Sequence, residues 1–136
     1  MKYLFDSSAV FRAIKENKIE LLTGNGTLEL ARYELGNIVW KDYILQGKVS
    51  EQEAKLMTKA IKHTLTLMDV MGIAGSEEEI METATQLKIT FYDASYAYFA
   101  KMKELCLVTE DARLIKKTSA TINVSTLDEI PEGKLP

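Results

Sequence analysis

The chain has 136 residues, with 46% hydrophobic and 27% charged side chains. This is globular composition in one-domain length, which excludes a disordered or fibrous chain. Seventeen Lys and Arg against 20 Asp and Glu give a net charge of −3, so a protein that coats nucleic acid through basic excess is excluded, although a nuclease working through metal ions is not. A single cysteine, Cys106, and a single histidine, His63, provide neither a disulfide nor a Cys/His zinc set.

In chain order, KYLF is an apolar, aromatic run that stops at Asp6-Ser7-Ser8, which predicts a buried strand entering a capped helix over residues 8–16. The N-terminal apolar run is interrupted by Asp6, Arg12 and Lys15, so no signal peptide is expected. No stretch reaches the roughly 18 apolar residues of a membrane span. A soluble, cytoplasmic protein without membrane contact is the expectation. Residues 19–22 suggest a second strand, closed by a Gly24-Asn25-Gly26 turn. Thr27 is the expected cap of a long helix whose buried stripe is Leu28, Ala31, Leu35, Ile38, Val39 and Leu45, ending at Gly47. Ser50 with Glu53 and Ser76 with Glu79 predict capping boxes for helices reaching about Met68 and Leu87. A helix over residues 91–103, an apolar strand over 105–108, a short helix over 111–117 and a strand over 121–124 follow. The expected unit is one domain over residues 1–136, with a loose tail from about Asp128.

Short apolar strands alternating with helices predict an α/β fold: a short, mostly parallel central sheet flanked by helices in three layers. Such folds bind ligands at the carboxyl ends of their strands. Asp6 ends the first strand, and Asp111 follows the 105–108 strand closely. Asp93 lies in the first turn of its helix, and Glu34 flanks the buried stripe of the long helix. Taken singly, the aspartates fit helix caps or first-turn acids and Glu34 a solvated helix position. Their combination leads to the expectation that the four converge on one pocket, and four carboxylates held together cannot remain fully ionised without a counter-charge. Oxygen ligands favour Mg²⁺ or Mn²⁺ over zinc.

Asp6 in LFDSSA, Glu34 in YELGN, Asp93 in FYDASYAYFAKMKE and Asp111 in LVTEDARL resemble the four acidic motifs of the PIN-domain nucleases, in particular the VapC-like toxins of prokaryotic toxin–antitoxin pairs. The resemblance runs from Tyr3 to about Val124. It implies a PIN-like fold and a Mg²⁺- or Mn²⁺-dependent endoribonuclease, usually a homodimer, inhibited by an antitoxin that occludes the acidic pocket. It also implies that Asp6, Glu34, Asp93 and Asp111 are both metal ligands and catalytic residues, water activated by the cation attacking phosphorus in line. Ser7 and Thr109 carry hydroxyls beside the acids, and Asn37 lies one turn after Glu34; supporting hydrogen bonds to the ligands and ordinary capping both fit them. Glu110 competes with Asp111, and the Thr-x-Asp spacing favours Asp111.

Setting the four acids aside leaves 16 acidic against 17 basic residues. Arg12, Lys15, Arg113, Lys116 and Lys117 follow acidic motifs and are candidates for an RNA phosphate path, against the alternative of a solvated helix face. Cys106 reads as core, His63 as surface, and Tyr92, Tyr96, Tyr98 and Phe99 as core or dimer contacts more than base-stacking groups. Trp40 and Tyr43 fall off the apolar stripe, marking a subunit or antitoxin surface. Three readings compete with the toxin: an RNA-maturation nuclease of the same fold, an RNA-binding scaffold, and a phospho-acceptor receiver. The last is disfavoured because Asp6 lacks an acidic neighbour.

Overall fold

In the computed structural model, which describes residues 1–131, five short strands form one sheet. They are β1 (Tyr3–Phe5), β2 (Gly26–Leu28), β3 (Asp69–Met71), β4 (Cys106–Val108) and β5 (Val124–Ser125), in the order β3-β2-β1-β4-β5 with every pairing parallel. Six helices connect and cover them: α1 (Ser7–Lys15), α2 (Glu29–Trp40), α3 (Glu51–Thr66), α4 (Glu77–Leu87), α5 (Phe91–Met102) and α6 (Ala112–Thr118). This is the α/β, three-layer architecture expected from the alternation of apolar strands and helices.

Strand pleating explains the layers. Leu4 pairs with Leu107 and Phe5 with Val108, so successive residues of both strands point to opposite faces. Phe5 and Val108 join a core completed by Ala9, Val10 and Ala13 of α1, Ala31, Leu35 and Val39 of α2, and Ile61 and Leu65 of α3. Leu4 and Leu107 join the other core, with Tyr96 and Ala100 of α5 and Leu114 of α6. Helix α4 is held on the outside of α5 through Ile80, Ala84 and Ala94. Burial on both faces is why these strands show no polar alternation.

Several local expectations change. Residues 19–22 are not a strand: Ile19–Leu21 form a 3₁₀ turn, with Leu21 N–H bonded to Lys18 O and Leu22 N–H to Ile19 O. A four-residue apolar run has no period that separates buried strand from buried turn. The second strand is Gly26–Leu28, and Thr27 is not a helix cap, because its buried hydroxyl donates to Phe5 O at 2.7 Å. Helix α2 starts at Glu29, whose carboxylate suits the positive helix end. It runs into a π-helical turn, Lys41–Leu45, with Gln46 N–H bonded to Lys41 O at 2.9 Å. The widened turn rotates Leu45 off the expected stripe, leaving it exposed. Gly47, at φ +60°, ends this segment as expected.

The Ser50–Glu53 capping box is present. The one expected at Ser76 is not; Glu77 accepts from Gly75 N–H instead. Strand β3 carried no periodic signal in three residues that begin with Asp69. The last strand lies later than expected because Thr121 and Ile122 still bond back to Thr118. The segment from Asp128 is anchored rather than loose as far as it is described: Leu127 and Ile130 are buried, and Arg12 pairs with Asp128. The expected looseness of residues 132–136 lies outside the described residues.

Candidate active site

The strand order reverses between the parallel neighbours β1 and β4, whose onward connections lead to opposite sides of the sheet. A crevice at the carboxyl ends of two such strands is the usual ligand site of open α/β sheets. Asp6 directly follows β1, and Thr109 to Asp111 directly follow β4.

Asp6 is 6% exposed and is the N-cap of α1. Its Oδ1 accepts from Ala9 N–H at 3.0 Å and from Ser8 Oγ at 2.6 Å, and its Oδ2 accepts from the Thr109 hydroxyl. Despite these donors, burial pushes the carboxyl up to about 6, with a further contribution from the charge on Glu34. Glu34, half-buried on the flank of α2, accepts from Tyr96 Oη at 2.8 Å and is also hydrogen-bonded by Ser7. Burial and the charge on Asp93 raise its pKa, while the two hydroxyls oppose the rise. Asp93 is the third residue of α5, where Thr90 caps by accepting from the Asp93 N–H. Its pKa is raised by burial and by the charge on Asp111. Asp111 caps α6, accepting from Arg113 N–H at 2.9 Å and Leu114 N–H at 3.3 Å through Oδ1. The four acids therefore form an electrostatic chain, Asp6 to Glu34 to Asp93 to Asp111. Three of the acids sit at helix starts, and the fold brings those starts to one sheet edge.

Thr109 is fully buried and touches Asp6 directly, while its Oγ1 accepts from Asp111 N–H at 3.1 Å. It thus links the strand-end acids. Asn37 is exposed, and Tyr96 and Ser7 hold Glu34 where Asn37 was expected. Two supporting residues were missed. Ser8, not Ser7, bonds Asp6, and it also accepts from Glu110 N–H at 3.0 Å. Tyr96 reads as a core aromatic in sequence, and nothing there shows its hydroxyl reaching Glu34. Burial beside acids keeps that phenol a neutral donor.

Of the basic candidates, Arg113 and Lys117 line a cavity of about 150 Å³ with Asp93 and Asp111, and Lys88, not singled out in sequence, joins them. The other three are not among its lining residues. Arg12 is engaged by Glu16, Glu110 and Asp128, so its expected RNA contact gives way to a structural clip. Lys15 lies over the Phe11 ring at 5.4 Å, at the far end of α1 from Asp6. Glu110 faces Arg12 and accepts from Leu127 N–H at 2.7 Å, which leaves the acidic chain to Asp111. A larger cavity of about 450 Å³ lies at the amino-terminal edge near Glu104 and Asn123, away from the four acids.

Among the described residues, no three His, Cys, Asp or Glu side chains close around a point as a metal cage. A magnesium site needs no cage, because the ion keeps several waters and uses one or two carboxylates. The donor set fits such an ion: all oxygen, acidic, and with pKa values raised by burial and mutual repulsion that a cation relieves.

Exonuclease VapC9 of Pyrobaculum aerophilum is 34% identical over 129 residues, 93% of each chain. The chain belongs to the VapC family of PIN-domain nucleases. Ribonuclease VapC3 of the same organism is 30% identical over 96 residues, 71% of this chain and 72% of its own. No protein-family model matches the chain. The crystal structure of PAE2754 from Pyrobaculum aerophilum superposes with a TM-score of 0.80 at 31% identity, covering 94% of this VapC-family chain and 92% of that one. VapBC2 from Rickettsia felis, bound to a DNA fragment from their promoter, shares the fold at 18% identity, with a TM-score of 0.68 over 93% of this chain and 98% of that one. Among the described residues, no helix is long and apolar enough to cross a membrane.

Proposed function

We propose that this VapC-family chain is the toxin of a toxin–antitoxin pair, a cytoplasmic endoribonuclease that hydrolyses RNA phosphodiester bonds with Mg²⁺ or Mn²⁺. The observation that carries the reading is the chain of four coupled carboxylates in the crevice between β1 and β4. Asp6, Glu34, Asp93 and Asp111 would hold the cation. When bound, a divalent cation acidifies water and offsets charge on the phosphoryl oxygens.

The protein's own groups supply orientation. Ser8, Thr109 and the Ala9 amide hold both Asp6 oxygens, and Tyr96 and Ser7 turn Glu34 from solvent toward α5. Because Oδ1 of Asp111 accepts from two α6 amides, Oδ2 is the oxygen left to face the site. Lys88, Arg113 and Lys117 rim the cavity beside Asp93 and Asp111 and provide the positive charge a phosphate backbone needs.

The antitoxin and homodimer readings rest on family membership and on an apolar surface: Trp40 is 48% exposed and Ile44 and Leu45 are exposed, whereas Tyr43, expected on that surface, packs partly buried against the core. The test is cleavage of linear and circular RNA with Mg²⁺, Mn²⁺ or excess EDTA. Chelator-sensitive cleavage of both forms is expected. Cleavage undiminished by EDTA refutes the mechanism, and cleavage confined to RNA with ends refutes the endonucleolytic mode. Expression of the chain alone is expected to slow growth, while the Asp6→Asn variant does not; harmless wild-type expression refutes the toxin reading.

A further inference from the structure

Next to the acids lies a cavity of a different character. It has a volume of about 140 Å³ and sits at the carboxyl ends of β2 and β3, between the first turns of α2 and α5. Its walls are Leu28, Leu30, Met71, Ile73 and Phe91, with Tyr92, 61% exposed, at its rim. Its position relative to the acids follows from helix geometry. Leu30 is one turn before Glu34 on α2, and Tyr92 is one turn before Tyr96 on α5. Residues four apart share a helix face, so Leu30 and Tyr92 of the cavity stand about 6 Å along their helix axes from Glu34 and Tyr96, which a hydrogen bond joins. Asp93 directly follows Tyr92 in the chain.

We infer that this cavity is a base-binding subsite, in which the nucleobase next to the cleaved phosphodiester inserts between the apolar walls and stacks on Tyr92. The inference rests on the RNA-cleavage reading above and adds to it the group that positions the strand. Three observations select a nucleobase as occupant. The cavity is smaller than the roughly 300–1,000 Å³ of drug-sized sites, so it takes one planar ring system and not a peptide helix. It shares a sheet edge with the acids, so a strand with a phosphate there places its neighbouring base about one step away. Its rim carries an exposed aromatic ring, the side chain on which single-stranded bases stack.

Apart from the Tyr92 hydroxyl at the rim, the cavity's polar side chains are already engaged. Ser95 Oγ donates to Phe91 O at 2.9 Å, and Glu29 accepts from Arg32 Nε at 2.8 Å. The subsite therefore senses the presence of a base more than its identity, since every base has a face to stack.

The experiment uses the purified chain and a short RNA with one mapped cleavage site, remade with a single abasic residue at each position in turn. One position flanking the cleaved bond is expected to lower kcat/KM by about 10- to 100-fold when abasic, while exchange among the four bases there changes it far less. Tyr92→Ala is expected to lower kcat/KM on intact RNA by a similar factor, with no further loss on the abasic substrate. Tyr92→Phe retains cleavage, and Met102→Ala, exposed at the far end of α5, serves as the control and leaves it unchanged. Mn²⁺ binding followed by titration calorimetry is unchanged in Tyr92→Ala. An abasic scan flat around the cleaved bond, or additive losses from the variant and the abasic residue, overturns the subsite while leaving the nuclease reading intact. No chelator-sensitive RNA cleavage by the wild-type chain overturns both.

Discussion

Replacing Asp6 with Asn is expected to stabilise the cation-free protein while abolishing most turnover. An ordinary aspartate ionises near 3.8, and the folded Asp6 carboxyl near 6. At about 1.4 kcal/mol per pH unit, the ionised carboxylate costs the folded state on the order of 3 kcal/mol at neutral pH. Because folding raises the pKa, the folded state binds the proton more tightly than the unfolded chain. The protonated group's contribution is thus fully present below about pH 4 and lost as pH rises through about 6.

An asparagine removes the charge and keeps the geometry. It caps helices as well as aspartate, and its Oδ1 can still accept from Ala9 N–H and Ser8 Oγ. Its amide then donates where Thr109 now donates, and the Thr109 hydroxyl turns to Ser8 Oγ, 3.3 Å away. With some loss from this rearrangement, the net gain is about 1–3 kcal/mol. At roughly 4 °C per kcal/mol for a domain of this size, the melting temperature rises by about 4–12 °C. The assay is thermal unfolding of both proteins at pH 7.5 and pH 4.5 in EDTA, repeated in Mg²⁺. The variant's advantage should be largest at pH 7.5 in EDTA and shrink at pH 4.5. It should also shrink in Mg²⁺, where the cation stabilises the wild type by mass action. An Asp6→Asn protein less stable than wild type at pH 7.5 in EDTA refutes the account of this site as a buried, uncompensated charge.

Asp111→Asn, which retains the α6 cap, should lose at least about tenfold in cleavage rate, while Glu110→Gln should retain more activity than Asp111→Asn; the reverse order would move the site to Glu110. Tyr96→Phe removes a donor that lowers the Glu34 pKa, so the acid limb of its kcat/KM profile should move to higher pH, and an unmoved limb would make Tyr96 a packing residue only. Arg12→Ala should speed amide exchange at Leu127, whose N–H is held by Glu110, because Glu110 loses the guanidinium that fixes it. Protection equal to wild type would show that the clip is dispensable.

The elements legible in the sequence were those with a strong local cause. The 105–108 strand, the Ser50–Glu53 capping box and the amphipathic α1 and α3 follow from apolar runs, caps and period alone. The places of Asp6, Asp93 and Asp111 at strand ends and helix starts were legible, although each taken singly fits an ordinary cap or first-turn acid and only their combination pointed to a common site. Where local causes were weak, tertiary contacts decided. Gly26–Leu28 is a strand because β1 and β3 flank it, and its residues signal only a turn and a cap. The π-helical turn that exposes Leu45 is a backbone event without a residue signature in this segment. The support of the site was decided the same way. Tyr96 and Glu34 are 62 residues apart, Thr109 and Asp6 103, and Arg12 and Asp128 116. No periodicity reaches across such separations. Side-chain type states what a residue can bond, and only the packing of α5 on β1 and of α1 beside the 127–129 turn determines which partner stands within reach.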